Sequence, residues 1–311
     1  MVMSEHKYCL KGMFESVHFK GSVLFDEPMS EHTTLRIGGP ADAFVVPSGV
    51  KSLRRILLDA TEKEVPVFTL GGGSNLLVDD GGIEGIVMSL VLMNHIEVTD
   101  ESSDEVRIVA GAGAHLQGLI RLARERGYTG IEGLAGIPGS IGGAVRGNAG
   151  SFGYEIGDSI DSVNIVTRKG TLFLMGADNL DFRYRASSLA EGDIILSATV
   201  KLRRDDQGKV SARIRTFLQE KREKQPVGEW SAGCVFKNPE GMHAGRLIDE
   251  AGCKGLQRGD VTVSSLHANF FINRANAKAS DFLALMDEVR ERVVKAFGIE
   301  MEPEIRIVGR K

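Results

Sequence analysis

The sequence lacks most of what would mark a secreted, membrane-embedded or metal-built protein. Its 311 residues hold only three cysteines, Cys9, Cys234 and Cys253. They are too few and too scattered for a disulfide framework, and they lack zinc-ligand spacing, so no metal is expected. No segment approaches the ~18 to 20 apolar residues needed to span a bilayer. The N-terminal MVMSEHKYCLKGMFESVHFKG has no apolar signal-peptide core. A cytoplasmic protein without membrane insertion is the expectation. Net charge is −4, so bulk electrostatics give no reason to expect nucleic acid. The Walker pattern GxxxxGK[ST] is absent. So is the Rossmann GxGxxG, because Gly111 and Gly113 are followed by Leu116. There is no internal repeat and no low-complexity segment.

What is present is ordinary globular composition, 42% apolar and 26% charged, over a length that permits two or three domains. Residues 201–224 carry nine Lys or Arg against four acids. That excess suits either a phosphate-bearing ligand or a solvated helix face. The most distinctive stretch is GLAGIPGSIGGAVRGNAGSFG, Gly133 to Gly153, with eight glycines in twenty-one positions. Such a run is not expected to form an ordinary helix or packed strand, because interior glycine costs entropy and buries no side chain. Leu134, Ile137, Ile141, Val145 and Phe152 make it unlike a linker. Tight packed turns and backbone pressed against a cofactor are both open readings.

Along the chain, Ala43–Val46 reads as a strand, then a helix with Ser48 as N-cap and Leu53, Ile56, Leu57 and Ala60 on one face. VPVFTL at 65–70 reads as a buried strand running into GGGSNLLVDDGG, and Ile86–Met88 as another. Gly71-Gly72-Gly73-Ser74-Asn75 offers consecutive N–H groups without Cβ atoms, which suits either a pyrophosphate nest or a tight turn. A second unit starts near 93, with strands at 96–98 and 106–109 and a helix over 114–126. Residues 163–166 and 171–175 form a hairpin around Arg168-Lys169-Gly170. A strand follows over 194–202, then a helix over 210–222 that Pro226 stops. Residues 227–241 read as loop, 243–250 as helix, 267–273 as strand, 280–298 as helix and 304–308 as strand. The domain boundary falls between Leu202 and Ser211.

The ordered blocks GGPADAF, LGGGSNLLVDD, GIPGSIGGAVRGNAGSFG, YRASSL, KQP, SAGCVFKNP, AGRLIDEAG, VSSLHANFFIN and EPEIRIVG resemble the UDP-N-acetylenolpyruvoylglucosamine reductase family over residues 23–309. The resemblance implies an α+β fold: a two-part FAD-binding module of the vanillyl-alcohol oxidase (PCMH) type, then an α+β substrate-binding domain. It divides the chain into an N-terminal extension (1–22), the FAD module (23–203, halves about 23–92 and 93–203) and a C-terminal domain (211–311). It implies non-covalent FAD, NADPH as hydride donor and UDP-N-acetylglucosamine enolpyruvate as substrate. The enolpyruvyl ether becomes a lactyl ether, giving UDP-N-acetylmuramate.

The resemblance also carries site residues. Arg185 of YR-S matches the charge-stabilising arginine, Glu304 of EPE the glutamate and Cys234 the proton donor. Alkene reduction needs a hydride source that no side chain supplies, charge stabilisation at the carboxylate and a proton. Arg185 can fork onto a carboxylate. Glu304 helps only if protonated or paired, so a raised pKa or a role in polarising another donor is expected. Cys234, with a thiol pKa of about 8.5, is largely protonated at pH 7. Many members carry serine there. Cys253 reads as structural. Lys224, Asn238 and Lys254 match residues contacting the substrate diphosphate or sugar, and His267 a site-lining position where others have glutamine. FAD is expected along Gly71, Gly72, Gly73, Ser74, Asn75 and Leu76 for its pyrophosphate. The isoalloxazine is expected along Gly133, Ile137, Pro138, Gly139, Ser140 and Gly142, with Gly143 and Asn148 as further cofactor-binding residues. Two departures stand out. The tyrosine-bearing loop of the larger class is missing before Lys224, as in the shorter class, and Phe152 stands where many members have tyrosine. An FAD-dependent oxidase of the same fold, acting on an alcohol or lactone, is the alternative. Residues 69–82 hold no His or Cys for a covalent flavin.

Overall fold

A computed structural model of the chain describes residues 5–14 and 19–310. The expected N-terminal extension over 1–22 therefore lies partly outside the described residues, as does the side chain of Cys9. In chain order the elements are α1 (Glu5–Phe14), β1 (Gly21–Pro28), β2 (Pro40–Pro47), α2 (Val50–Glu62), β3 (Val67–Leu70), β4 (Leu76–Val78), β5 (Ile83–Ser89), β6 (Ile96–Glu101) and β7 (Glu105–Gly111). Next come α3 (Leu116–Arg126), β8 (Tyr128–Thr129), α4 (Ile141–Arg146), β9 (Gly150–Ser151), β10 (Tyr154–Glu155), β11 (Ile160–Val166), β12 (Leu172–Gly176), β13 (Phe182–Arg183), β14 (Ala186–Ser187) and β15 (Ile194–Arg204). The rest are α5 (Gln207–Lys224), α6 (Ala244–Glu250), β16 (Gln257–Arg258), β17 (Val261–Val263), β18 (Phe271–Asn273), α7 (Ala279–Phe297) and β19 (Arg306–Val308). No helix among the described residues is long and apolar enough to cross a membrane.

The chain forms two compact units. The first takes the chain up to Phe25, Asp42–Gly72 and Gly85–Gln219. It holds a four-stranded sheet ordered β1-β2-β5-β3, in which β3 runs parallel to β5. It also holds a six-stranded antiparallel sheet ordered β12-β11-β15-β7-β6, with β8 added to β15. The long strand β15 is central because it is paired along both edges, with β11 and with β7. Val106, Ile108 and Ala110 alternate inward on β7, as a half-buried strand requires. α2 buries the expected face, Leu53, Ile56, Leu57 and Ala60. Ser48 is not its N-cap. The residue before the helix is Gly49, whose carbonyl takes the Leu53 N–H at 3.0 Å, while the Ser48 N–H is used by Lys20.

The glycine stretch departs from expectation in one respect: it contains a helix, α4. Ser140 caps it by accepting the Gly143 N–H, and Ile141, Ala144 and Val145 are buried. A Cβ at Gly142 would lie 2.9 Å from the Cβ of Ala112. Close packing of this short helix explains the glycine, and its burial offsets the entropy cost.

The second unit comprises Asp26–Ala41, Gly73–Glu84 and Glu220–Lys311. It has a three-stranded antiparallel sheet, β16-β17-β18, and a two-stranded parallel pair, β4 with β19. α7 supplies Phe282, Leu285, Met286, Val289 and Val293 to its core, which also holds Phe236 and Phe271. The expected strand over 267–273 is shorter, Phe271–Asn273 only. The Ser264 hydroxyl accepts from Leu266 and His267 N–H, and the Phe270 N–H returns to the His267 carbonyl, so 264–270 is a turn. The terminal strand is likewise Arg306–Val308 rather than 304–308.

One buried charge anchors the glycine stretch. Glu132 is 1% exposed. Its carboxylate accepts from the Thr129 hydroxyl and Gly130 N–H and pairs with Arg213 at 2.8 Å. Burial pushes this carboxyl up, but those hydrogen bonds and Arg213 hold it below the usual range. A lowered folded pKa means stability that is present above the unfolded pKa and lost as pH falls through the folded one. Glu132→Gln should cost about 2 kcal/mol at neutral pH. Thermal melts in an acid series should show its deficit against wild type shrinking below pH about 4, near the ordinary glutamate pKa.

Candidate active site

In the first unit, the two glycine loops press on each other. A Cβ at Gly72 would sit 2.7 Å from the Gly139 Cα, and one at Gly71 would sit 2.7 Å from the Ser140 hydroxyl. A Cβ at Gly133 would strike the Tyr154 ring at 2.4 Å. These glycines are accounted for by internal packing. Gly143 differs: it is exposed, and a Cβ there would meet only the Ser140 hydroxyl at 3.5 Å.

The start of α4 is closed off. The Ile141 and Gly142 N–H groups bond to the carbonyls of Ala114 and Ala112, and the Gly143 N–H bonds to Ser140. The exposed Gly71 and Gly72 N–H groups have no acceptor among the described residues. Two adjacent donors on a glycine loop, beside a second glycine loop, fit the diphosphate of a dinucleotide such as FAD. Pro138 is exposed and Ile137 half-buried. Gln117, a residue the sequence did not single out, fixes this segment. Its amide donates to the Leu134 and Ile137 carbonyls, and its oxygen accepts from Gly136 N–H.

Arg185 lies in the two-residue turn between β13 and β14, with φ +57. A non-glycine residue in the left-handed region is strained and persists only where its surroundings demand it. Its Nη1 donates to the Gly150 carbonyl at 3.0 Å, and its guanidinium lies 5.2 Å from the Tyr184 ring centre. Asn148, expected to bind the cofactor, is fully buried. Its amide donates to Glu155 and to the Arg183 carbonyl, and its oxygen accepts from Gly157 N–H. Asn148 thus ties the glycine stretch to the turn that carries Arg185.

In the second unit, the loop residues expected beside the pyrophosphate are joined to the Glu304 segment. Asn75 donates to the Glu304 carbonyl and accepts from Arg306 N–H, and buried Leu76 pairs with Arg306. Gly73 has φ +61, and a Cβ there would lie 2.0 Å from the His32 carbonyl oxygen. Ser74 is half-buried.

An extended segment, Cys234 to Lys237, runs between two others. On one side Cys234 bridges Phe270, and the Val235 N–H bonds to the Asn269 carbonyl. On the other side the Val235 carbonyl accepts the Glu304 N–H at 2.8 Å, and the Lys237 N–H bonds to Glu302. Cys234 and Glu304 therefore sit on adjacent lengths of backbone, and His267 lies in the turn that ends at Phe270, the residue bridged to Cys234. His267 packs edge-on against Phe270, and its Nδ1 accepts from Asn269 N–H. Burial lowers its pKa, favouring neutral imidazole. Asn269, missed by sequence reasoning, is 2% exposed and clamps Phe236 through both its N–H and its carbonyl.

The three remaining predicted residues are dispersed. Lys224 is exposed and pairs with Glu220, whose carboxylate raises its pKa. Asn238 accepts from Ala244 N–H at the start of α6, and Lys254 pairs with Asp249. Between the neighbours of Lys224 and His267 lies a cavity of about 460 Å³ lined by Arg222, Gln225, Ser264, Leu266 and Arg274. Lys221, one turn before Lys224 on α5, is buried. The alternation of charges in α5 gave no sign of it. Cys253 is fully buried, which pushes its thiol pKa up, as an inert structural cysteine requires.

Comparison with known proteins bears on this site. Residues 225–308 match the family described as UDP-N-acetylenolpyruvoylglucosamine reductase, C-terminal domain, and residues 41–176 match an FAD binding domain. The chain is 44% identical to the UDP-N-acetylenolpyruvoylglucosamine reductase of Geobacter metallireducens, over 93% of this chain and 95% of that one. It is 42% identical to the protein of the same name from Pelobacter propionicus, over 94% and 98%. The crystal structure of the Thermus caldophilus reductase superposes with a TM-score of 0.80 at 33% identity, covering 93% of this chain and 98% of that one.

The Asn148 clamp is testable. Asn148→Ala leaves the Gly157 N–H and the Arg183 carbonyl without their buried partner. It should cost about 2 to 3 kcal/mol in denaturant titrations.

Proposed function

The chain belongs to the UDP-N-acetylenolpyruvoylglucosamine reductase family, and from that premise we propose how its residues divide the work. It is an FAD-containing, NADPH-dependent oxidoreductase of peptidoglycan precursor synthesis. It reduces the enolpyruvyl ether of UDP-N-acetylglucosamine enolpyruvate to the lactyl ether of UDP-N-acetylmuramate. The fold is α+β, with an FAD-binding module of the vanillyl-alcohol oxidase type. The oxidase alternative is not favoured, because the relatives match over nearly the whole chain.

When bound, FAD supplies the hydride, received from NADPH, that the methylene carbon of the enolpyruvyl group accepts. Gly71 to Leu76 hold its diphosphate without a covalent bond. Gly133, Ile137, Pro138, Gly139, Ser140, Gly142 and Gly143 would line its ring, with buried Asn148 fixing that stretch through Glu155, Arg183 and Gly157. Arg185 binds the substrate carboxylate and stabilises the charge that builds there as the carbon gains hydride. Cys234 then delivers its Sγ proton to the adjacent carbon. Glu304 supports that transfer by polarising and orienting the donor. The observation that carries this pairing is the 2.8 Å bond from the Glu304 N–H to the Val235 carbonyl, the residue next to Cys234. Lys224, Asn238, Lys254 and His267 recognise the diphosphate and sugar, with a neutral His267 as hydrogen-bond partner. We assign the FAD module to 23–203 and the substrate domain to 211–311, which the extents of the two family matches support, although 26–41 and 73–84 pack with the C-terminal residues and 211–219 with the first unit. We place the enzyme in the cytoplasm, with these small molecules as its partners and no nucleic acid.

The test is anaerobic. The flavin of the purified holoenzyme is reduced with NADPH, and UDP-N-acetylglucosamine enolpyruvate is then added. Prompt reoxidation is expected, and a flavin that stays reduced would reject the assignment. Cys234→Ser should keep substantial turnover. Cys234→Ala should lose at least about a hundredfold in kcat while NADPH still bleaches the flavin. Equal kcat in Cys234→Ala and wild type would remove the thiol from the mechanism. Arg185→Lys, which replaces the planar fork by a point charge, should lower kcat by about a hundredfold in the same assay.

A further inference from the structure

In the second unit Lys224, Lys254, Arg258 and Arg292 form ion pairs of 2.6 to 2.9 Å. Arg222, in the last turn of α5, differs. It is exposed, and its guanidinium has no ion pair or hydrogen bond among the described residues. It lines the cavity of about 460 Å³ beside Ser264. That cavity carries a second polar signal. Ser264 is 2% exposed, and its oxygen accepts the Leu266 and His267 N–H groups. Both lone pairs are engaged, and the hydroxyl proton has no acceptor among the described residues. A buried donor without an acceptor is costly, so the cavity calls for an acceptor from outside. The Gln225 carboxamide, also in the lining, is likewise without a hydrogen bond among the described residues. Arg274 completes the polar set, and its Nη1 donates to both carboxylate oxygens of Glu229 at 3.1 Å. The remaining lining is apolar. Phe271 belongs to the core, so its neighbour Ile272 faces the other way, into the cavity. Phe270, bridged to Cys234, is two residues from Ile272 and shares that face.

We propose that this cavity receives the 2′-phosphate end of NADPH, and that Arg222 is the residue that distinguishes NADPH from NADH. The inference rests on the NADPH-dependent reduction assigned to this chain and adds the site that selects the nucleotide. A group that only accepts hydrogen bonds, beside an unpaired guanidinium, is an anion. Each phosphate of a diphosphate diester carries one charge, whereas a phosphomonoester carries about −1.5 to −2 at pH 7. The dianion needs two cations. Arg222 supplies one and Arg274 the other, once Glu229 gives up its pair. That pair is 44% and 46% exposed, the weak kind of ion pair that a stronger anion displaces. Lys224, Asn238 and Lys254, assigned to the substrate diphosphate, do not line the cavity. Of the two substrates only NADPH brings a further phosphate. The volume lies within the ~300 to 1,000 Å³ of small-molecule sites, more than one phosphate fills. Val227, Leu266 and Ile272 offer the apolar lining that the adjoining adenosine needs.

The holoenzyme is titrated calorimetrically with adenosine 2′,5′-bisphosphate and, separately, with UDP. Anaerobic stopped-flow reduction of its flavin gives the Kd of NADPH and of NADH. Wild type is expected to hold NADPH at least about tenfold more tightly than NADH, the scale of one charge-assisted phosphate contact. Arg222→Gln should weaken adenosine 2′,5′-bisphosphate and NADPH by about tenfold and bring the two nucleotides close to parity. Glu229→Gln removes the competing carboxylate and should tighten adenosine 2′,5′-bisphosphate by about threefold. Shifts of opposite sign at two exposed residues separate recognition from a general loss of structure. A wild type that binds NADPH and NADH equally overturns the proposal. So does an Arg222→Gln variant that keeps the preference, or a Glu229→Gln variant that binds the bisphosphate no better. An Arg222→Gln variant that loses UDP and keeps the bisphosphate gives the cavity to the substrate diphosphate and overturns it too. A flavin that NADPH does not reduce at all rejects the reductase reading instead, and the bisphosphate titrations then decide the site alone.

Discussion

The second unit depends on one constraint: the main chain of Cys234–Lys237 must be bonded on both sides at once. Asn269 enforces one side. Its carboxamide satisfies both the N–H and the C=O of buried Phe236, so this stretch can neither shift in register nor turn over. The 302–305 segment enforces the other side through Val235 and Lys237. The backbone of a thiol-bearing and of a carboxyl-bearing residue is thereby held in place. Backbone bonds of this kind cost less side-chain entropy than pairing long flexible side chains would. The parallel pairing of β4 with β19 extends the same arrangement to Asn75, whose amide reaches the Glu304 carbonyl.

Much of this was legible in the sequence, and the failures have physical causes. Helices with strong periodicity, such as α2, α3 and α7, fall where the apolar spacing put them. The β11–β12 hairpin was readable from its Arg168-Lys169-Gly170 turn. β4 was not, because Leu76–Val78 pairs with residues some 230 positions away and no local pattern records a partner that distant. The HANF segment reads as strand by composition. It folds as a turn because the Ser264 hydroxyl competes for its amides. Ser48 has the chemistry of a cap, yet Lys20 uses its N–H and the helix begins one residue later.

Site residues follow the same division. Arg185, Cys234 and Glu304 could be named only through the resemblance, since a lone Arg, Cys or Glu has no local signature. Asn269, Gln117 and Lys221 stayed hidden because their importance lies in burial and in what their polar atoms bond. Asn148 was singled out for the right stretch. Its polar contacts, however, are with protein: Glu155, Arg183 and Gly157.

The glycines between 133 and 153 separate into kinds that composition cannot distinguish. Gly133 and Gly142 are needed because a side chain would overlap Tyr154 or Ala112. Gly136, Gly139 and Gly153 are needed for left-handed or related backbone. Gly143 has neither need: its φ is ordinary and the space above it is open. A glycine that the protein's own packing does not explain, within a family whose members bind a flat ring, is the position where the ligand is the best remaining reason. A Cβ at Gly143 would meet nothing in the protein closer than 3.5 Å, so the fold would tolerate alanine there. Gly147 shares both properties, with a Cβ no closer than 3.5 Å to the Gly143 carbonyl oxygen, but it closes α4 as its C-cap, whereas Gly143 lies within the helix and is exposed.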